Sequence, residues 1–108
     1  MKRYGVRIRI KAGSEGWSYR EQHARVWPEV LDMIRACNIA NYSIFLKDDR
    51  LYSYFEYVGD DFHSDMAKMA SDARTREWWG LIGPMQEALE TRKSGECWAE
   101  MEEVFHFE

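Results

Sequence analysis

An α+β fold, with one antiparallel sheet covered by helices on a single face, is predicted by three features of this 108-residue sequence. Residues 3–10 alternate between polar and apolar at every position, the period of a half-wetted strand. Apolar and aromatic residues then recur every three or four positions as far as Cys37, the period of a helical face. The remaining segments repeat strand and helix signals in an order that ends on a strand.

In the first strand, Tyr4, Val6, Ile8 and Ile10 face the core, and Arg3, Gly5, Arg7 and Arg9 face out. Gly13 and Ser14 punctuate the chain, with Ser14 as an N-cap candidate. From Trp17 the helical face runs through Tyr19, His23, Val26, Trp27, Val30, Ile34 and Cys37. Pro28 lies inside that pattern. It removes one helical hydrogen bond and clashes with the carbonyl of Ala24, so a bend or break is expected near residues 24–28.

Asn38 closes the helix, and Ile39 to Leu46 reads as a second strand with Tyr42, Ile44 and Leu46 on one face. Lys47-Asp48-Asp49-Arg50 is a polar turn, and Leu51 to Val58 returns as a third strand, making a hairpin. Gly59-Asp60-Asp61 opens a second helix whose buried stripe is expected at Phe62, Met66, Met69 and Ala73. A third helical stretch is expected from Thr75 to about Leu89, kinked at Gly83-Pro84 and carrying Trp78, Trp79, Ile82 and Met85. Residues 91–96 read as a loop, and the last strand is expected from about Trp98 to Phe107.

This order is the βαββαβ arrangement of a ferredoxin-like subunit, in one domain spanning residues 1–108. Helices cover one sheet face and leave the other bare. Aromatic residues make up 15% of the chain, so the bare face is expected to pack on a second copy as a homodimer.

Composition narrows the function classes. Hydrophobic residues form 45% and charged residues 31%, the balance of a globular chain. A net charge of -4 with scattered basic residues argues against a nucleic-acid partner. No run approaches the roughly 18 apolar residues of a membrane span. Arginines interrupt the first ten residues, so a signal peptide is not expected and a cytoplasmic location is. In that compartment Cys37 and Cys97 are expected as free thiols. Neither a metal-ligand cluster nor a glycine-rich phosphate loop nor a nucleophile elbow is visible, so no metal and no cofactor are expected.

Acid–base chemistry in an aromatic pocket is what remains. His63 and His106 lie in polar surroundings and read as surface residues. His23 lies on the apolar face of the first helix, one turn after Tyr19. A histidine there is either a core residue satisfied by a nearby carbonyl or a group that moves protons near neutral pH. Consecutive helical residues point about 100° apart, so one of Trp78 and Trp79 packs while the other is free to face a cavity. Indole faces stack on the apolar faces of sugar rings. Glu103 shares a strand face with Met101, Phe105 and Phe107, and reads as a pocket hydrogen-bonding group or a structural anchor.

At these residues the sequence resembles the L-rhamnose mutarotase family (rhamnose 1-epimerases). The resemblance lies in Tyr19-Arg20-Glu21-Gln22-His23, Val26-Trp27-Pro28-Glu29, Asn41-Tyr42-Ser43-Ile44-Phe45-Leu46, Tyr54-Phe55-Glu56, Trp78-Trp79 and Glu103-Val104-Phe105. Their order and spacing hold from the first strand to the last. The resemblance implies a dimeric α/β barrel of ferredoxin-like subunits. It implies His23 as the proton-donating catalytic residue, and Tyr19, Tyr42, Trp78 and Trp79 as sugar-binding residues. No catalytic role for Glu103 follows from it.

The implied reaction interconverts the α- and β-anomers of L-rhamnose by opening and reclosing the ring, without a cofactor. His23 would protonate the ring oxygen, with Tyr19 or a water relaying the other proton. The second strand and the Gly59-Asp60-Asp61-Phe62 helix start also resemble relatives assigned to L-fucose, another 6-deoxyhexose. Two readings of other classes use the same fold: a cofactor-free dimeric-barrel monooxygenase, and a non-catalytic sugar-binding module.

Overall fold

The computed structural model describes residues 1–13, 18–89 and 98–108. Strand β1 (Lys2–Ile10) is followed by helices α1 (Ser18–His23) and α2 (Pro28–Ala36), then by strands β2 (Ile39–Lys47) and β3 (Arg50–Tyr57). Helices α3 (Phe62–Ser71) and α4 (Ala73–Ile82) come next. A 3₁₀ turn (Gly83–Met85), strand β4 (Gln86–Glu87) and strand β5 (Ala99–Met101) complete the described elements. The sheet runs β2-β3-β1, with β4 and β5 both pairing with β1. Every pairing is antiparallel. This is the strand order of the expected ferredoxin-like subunit, with each helical segment divided in two.

Alternation sets the two sheet faces. Ile8 and Ile10 of β1 and Leu51 of β3 are buried with Tyr19 of α1, and Ile44, Leu46, Met85 and Trp98 pack around them. Each such aliphatic side chain contributes about 1.5–3 kcal/mol. A second cluster joins Val30 of α2 to Trp78 and Ile82 of α4, with Val26, Trp27 and Ile34 against it. Arg74 reinforces this contact, its guanidinium 3.9 Å above the Trp27 ring.

Pro28 produces a break. It occupies the first turn of α2, where its missing N–H costs no bond, and α1 stops at His23. Helix α1 has only six residues, too few to persist alone, and is held by burial of Tyr19 at 3% exposure. Asn38 ends the α2 segment at φ 64°, and Asp48 turns the β2–β3 hairpin at φ 55°. Both side chains tolerate the left-handed region.

Several expectations are corrected. The helix expected as far as Leu89 ends at Ile82, because Gly83-Pro84 begins a 3₁₀ turn and releases Gln86 to pair with Ile10. The last strand covers only Ala99–Met101, and Glu102 to Glu108 continue outside the sheet. Ala73 is exposed and opens α4, where it was expected in the buried stripe of the preceding helix. Asp72 caps that start, accepting from the Thr75 backbone N–H at 2.9 Å. The N-cap expected at Ser14, the loop at 91–96 and the thiol of Cys97 lie outside the described residues. Cys37 is a buried free thiol.

Candidate active site

Helix α1 delivers Tyr19 and His23 to one face, one turn apart, as their spacing requires. Their rings stack with centroids 4.1 Å apart. His23 also meets the Trp78 ring edge-on at 5.4 Å, and Trp78 meets Trp27 in the same manner at 5.3 Å. The imidazole is therefore clamped between a helix of its own segment and one from the other half of the chain.

The His23 Nδ1 lies 2.9 Å from the backbone oxygen of Tyr19. A carbonyl oxygen only accepts, so Nδ1 carries the hydrogen and donates it. In the neutral ring, Nε2 then holds the lone pair. Burial pushes the His23 pKa below its ordinary 6.5, with the Tyr19 carbonyl pulling the other way. Both sequence readings of this histidine thus meet in one side chain. One nitrogen is satisfied by a carbonyl, as the core reading expects, and the other keeps the lone pair that the proton-transfer reading needs.

Tyr42 reaches the site from β2, beside a β-bulge. Between Ala40 and Ser43 the β2–β3 register gains one residue on β2, with Asn41 at φ 49° and its side chain donating to Glu56 Oε1 at 2.6 Å. Just past the bulge, Tyr42 shares the helix-facing side of β2 with Ile44 and Leu46 and lies against Phe55 at 5.8 Å. Burial around the Tyr42 hydroxyl pushes its pKa up, although 46% of the residue is exposed.

Tyr19, His23, Tyr42, Trp78 and Trp79 line one cavity of about 750 Å³. That volume lies in the range of small-molecule sites. Its remaining wall is largely apolar, with Val26, Val30, Leu31, Ile34, Ile44, Met69, Ile82 and Trp98. All five residues implied by the sequence resemblance are brought together. Trp78 is 4% exposed and packs, whereas Trp79 is 42% exposed. The pair divides its work as the 100° offset requires.

Gln86 is a polar lining residue that no sequence signal marked. Its Nε2 donates to the Tyr19 hydroxyl at 3.3 Å. The Tyr19 phenol is pushed up to about 12, chiefly by burial. It keeps its proton through the neutral range.

Glu103 lies outside the cavity. It accepts from Arg3 Nε at 2.9 Å, the anchoring role of the two expected for it, and the strand face it was to share ends at Met101. His106 stands 3.9 Å from the same carboxylate, and His63 is exposed on α3. Among the described residues, no group of three His, Cys, Asp or Glu side chains is placed to hold a metal ion. Also among these residues, no helix is long and apolar enough to cross a membrane.

Indole and phenol walls suit the faces and hydroxyls of a sugar ring, and a single histidine can move a proton between two of its oxygens. The class so defined is a carbohydrate isomerase working by acid–base chemistry. A model of the L-rhamnose mutarotase family matches residues 3–107. An L-rhamnose mutarotase of Burkholderia orbicola is 30% identical over 100 residues, covering 83% of this chain and 94% of its own. One of Sinorhizobium fredii is 30% identical over 107 residues, 98% of each chain. The crystal structure of an L-rhamnose mutarotase from Formosa agariphila superposes over the full length of both chains with a TM-score of 0.78 at 21% identity, which shows the shared fold. The chain belongs to the L-rhamnose mutarotase family.

Proposed function

We propose that the protein interconverts the α- and β-anomers of L-rhamnose, with His23 as its proton-transfer group. The observation that carries this reading is the 2.9 Å contact between His23 Nδ1 and the Tyr19 carbonyl, inside the aromatic cavity. It fixes the tautomer and leaves Nε2 free for substrate.

The anomeric oxygen and the ring oxygen are both bonded to C1, so one imidazole nitrogen can serve them in turn. Neutral Nε2 takes the anomeric hydroxyl proton as the C1–ring oxygen bond breaks. The imidazolium so formed protonates the ring oxygen, giving the open aldehyde. Rotation about C1–C2 presents the other carbonyl face, and the same two transfers run backwards to close the ring. Protons balance over the cycle, and no electrons leave the sugar. A lowered His23 pKa suits this order, since the base form is the resting one at neutral pH. Tyr42, Trp78 and Trp79 supply the walls against which the sugar is held.

Substrate choice between L-rhamnose and L-fucose depends on which hydroxyls meet the few polar groups of the wall, and one such contact can discriminate strongly. The family and its named relatives favour L-rhamnose. The chain is further proposed to act as a homodimer in the cytoplasm. The sheet face away from the helices carries Phe45 at 62% exposure, and the C-terminal segment exposes Val104, Phe105 and Phe107 at 80% or more.

Saturation-transfer NMR of anomer exchange tests the function directly. The wild-type protein should accelerate exchange of L-rhamnose well above L-fucose and D-glucose, and His23→Ala should lose about 10²–10⁴-fold while still binding sugar. Undiminished exchange in His23→Ala would exclude the histidine. Binding without any exchange in the wild type would favour a sugar-binding module.

A further inference from the structure

The Tyr19 hydroxyl has one hydrogen and two lone pairs. Gln86 Nε2 donates into one lone pair at 3.3 Å, from the first residue of β4, opposite Ile10. Tyr19 is 3% exposed, so solvent does not compete for this bond. Among the described residues no acceptor takes the Tyr19 hydrogen. Both side chains line the cavity beside His23.

We propose that Gln86 is a positioning residue for ring opening: by donating to the Tyr19 hydroxyl oxygen, it turns the Tyr19 O–H into the cavity as a hydrogen-bond donor to a sugar oxygen next to His23. This rests on the mutarotase reading of the site. Negative charge gathers on the ring oxygen as its bond to C1 breaks, before His23 delivers the proton. A fixed donor in a partly dry cavity stabilises that charge without reorganising. A phenol with its ionisation pushed up to about 12 supplies the hydrogen bond and keeps the proton.

The direction of the amide makes the proposal testable. Gln86→Glu keeps shape and length but replaces the donor by a carboxylate that only accepts. The Tyr19 O–H would then turn back onto the carboxylate and leave the cavity without its donor. As pH falls to the ordinary carboxyl value of about 4.3 and below, the new carboxyl takes up a proton and donates again. Gln86→Leu removes both functions at every pH.

Anomer exchange of L-rhamnose should be followed from about pH 3.8 to 8.5 in wild type, Gln86→Glu, Gln86→Leu, Tyr19→Phe and the two combinations with Tyr19→Phe. Gln86→Leu should lose about tenfold in kcat with a smaller change in KM, the scale of one hydrogen bond. Gln86→Glu should lose more than that at pH 8, and its rate relative to wild type should climb as pH falls below 5. In the Tyr19→Phe background neither substitution should cost more than about twofold.

Rates within twofold of wild type for both variants at every pH would overturn the inference. So would an undiminished loss in the Tyr19→Phe background. Should Gln86→Leu fail to fold, the pH-dependent ratio of the isosteric variant decides alone. A wild type inactive on every 6-deoxyhexose would remove the mutarotase reading and this inference with it. Active variants with equal rates remove only the role of Gln86.

Discussion

The imidazole of His23 lies on the ring of Tyr19 at 4.1 Å, and its Nδ1 is 2.9 Å from the carbonyl oxygen of that same residue. Tyr19 thus sets both the plane of the imidazole and its tautomer. The phenol end of Tyr19 is tied in turn to Gln86 on another strand. The proposed proton-transfer group is thereby oriented by a residue four positions earlier and steadied by one 63 positions later, its position on the sheet set by β4.

The pH dependence follows from the sign of the His23 shift. Burial disfavours the imidazolium, so the folded pKa lies below 6.5. Exchange rates should be level from pH 7 to 8.5 and fall on the acid side with a midpoint below 6.5. A midpoint above 6.5 would contradict the burial. The unfolded chain binds this proton more readily, so the contribution of His23 to stability is whole above 6.5 and is lost as pH falls toward the folded pKa. Urea titrations of wild type and His23→Gln should differ in slope against pH only over that acid range.

The two tryptophans should separate stability from binding. Trp78 packs on Val30, Ile82, Trp27 and His23, so Trp78→Ala should cost about 3–5 kcal/mol of unfolding free energy. Trp79 is 42% exposed at the cavity rim, and Trp79→Ala should leave the melting temperature nearly unchanged while raising KM for the sugar. Thermal melts with exchange kinetics measured at several sugar concentrations distinguish the pair.

Gly59 is required by close approach. A Cβ there would stand 2.5 Å from the Tyr57 hydroxyl and 2.8 Å from Asn38 Nδ2. Both groups donate to Asp65 Oδ2, at 2.5 and 3.0 Å, and tie the ends of β3 and α2 to α3. Gly59→Ala should therefore destabilise by about 1–3 kcal/mol in urea unfolding, the usual scale of overpacking. Asp65→Asn should act on the same joint. The Asp65 pKa is held below 3.8 by these two donors, so its contribution is present above pH 3.8 and lost as pH falls through the lowered pKa.

Assembly is open to direct measurement. Light scattering at micromolar concentration should give about twice the 12.9 kDa chain mass. Phe45→Glu, on the uncovered sheet face, should halve that value while leaving the secondary structure intact. A monomeric wild type would reject the homodimer.

Much of the site is readable along the chain because it is local. The period-two pattern of β1 places Ile8 and Ile10 inward, and the four-residue spacing puts Tyr19 and His23 on one helical face, whatever the rest of the chain does. Pro28 and Asn38 mark real boundaries because a missing N–H and a left-handed backbone act within a few residues. That the two adjacent tryptophans differ in burial follows from helical geometry, and the packing of α4 on Val30 of α2 selects Trp78 as the buried one.

Tertiary structure decided the rest, for a reason common to each case. The bulge at Asn41, where β2 carries one more residue than β3, is defined only once the strands pair. Gln86 reaches Tyr19 because the chain leaves α4 at Gly83 and finds β1, where helical periodicity had pointed onward to Leu89. Glu103 meets Arg3 outside the cavity because the antiparallel register that pairs Gly5 with Met101 carries on to Arg3, on the outward face of β1. Single-residue geometry and short-range spacing are written in the sequence, whereas a hydrogen bond between Gln86 and Tyr19 exists only after distant strands have joined.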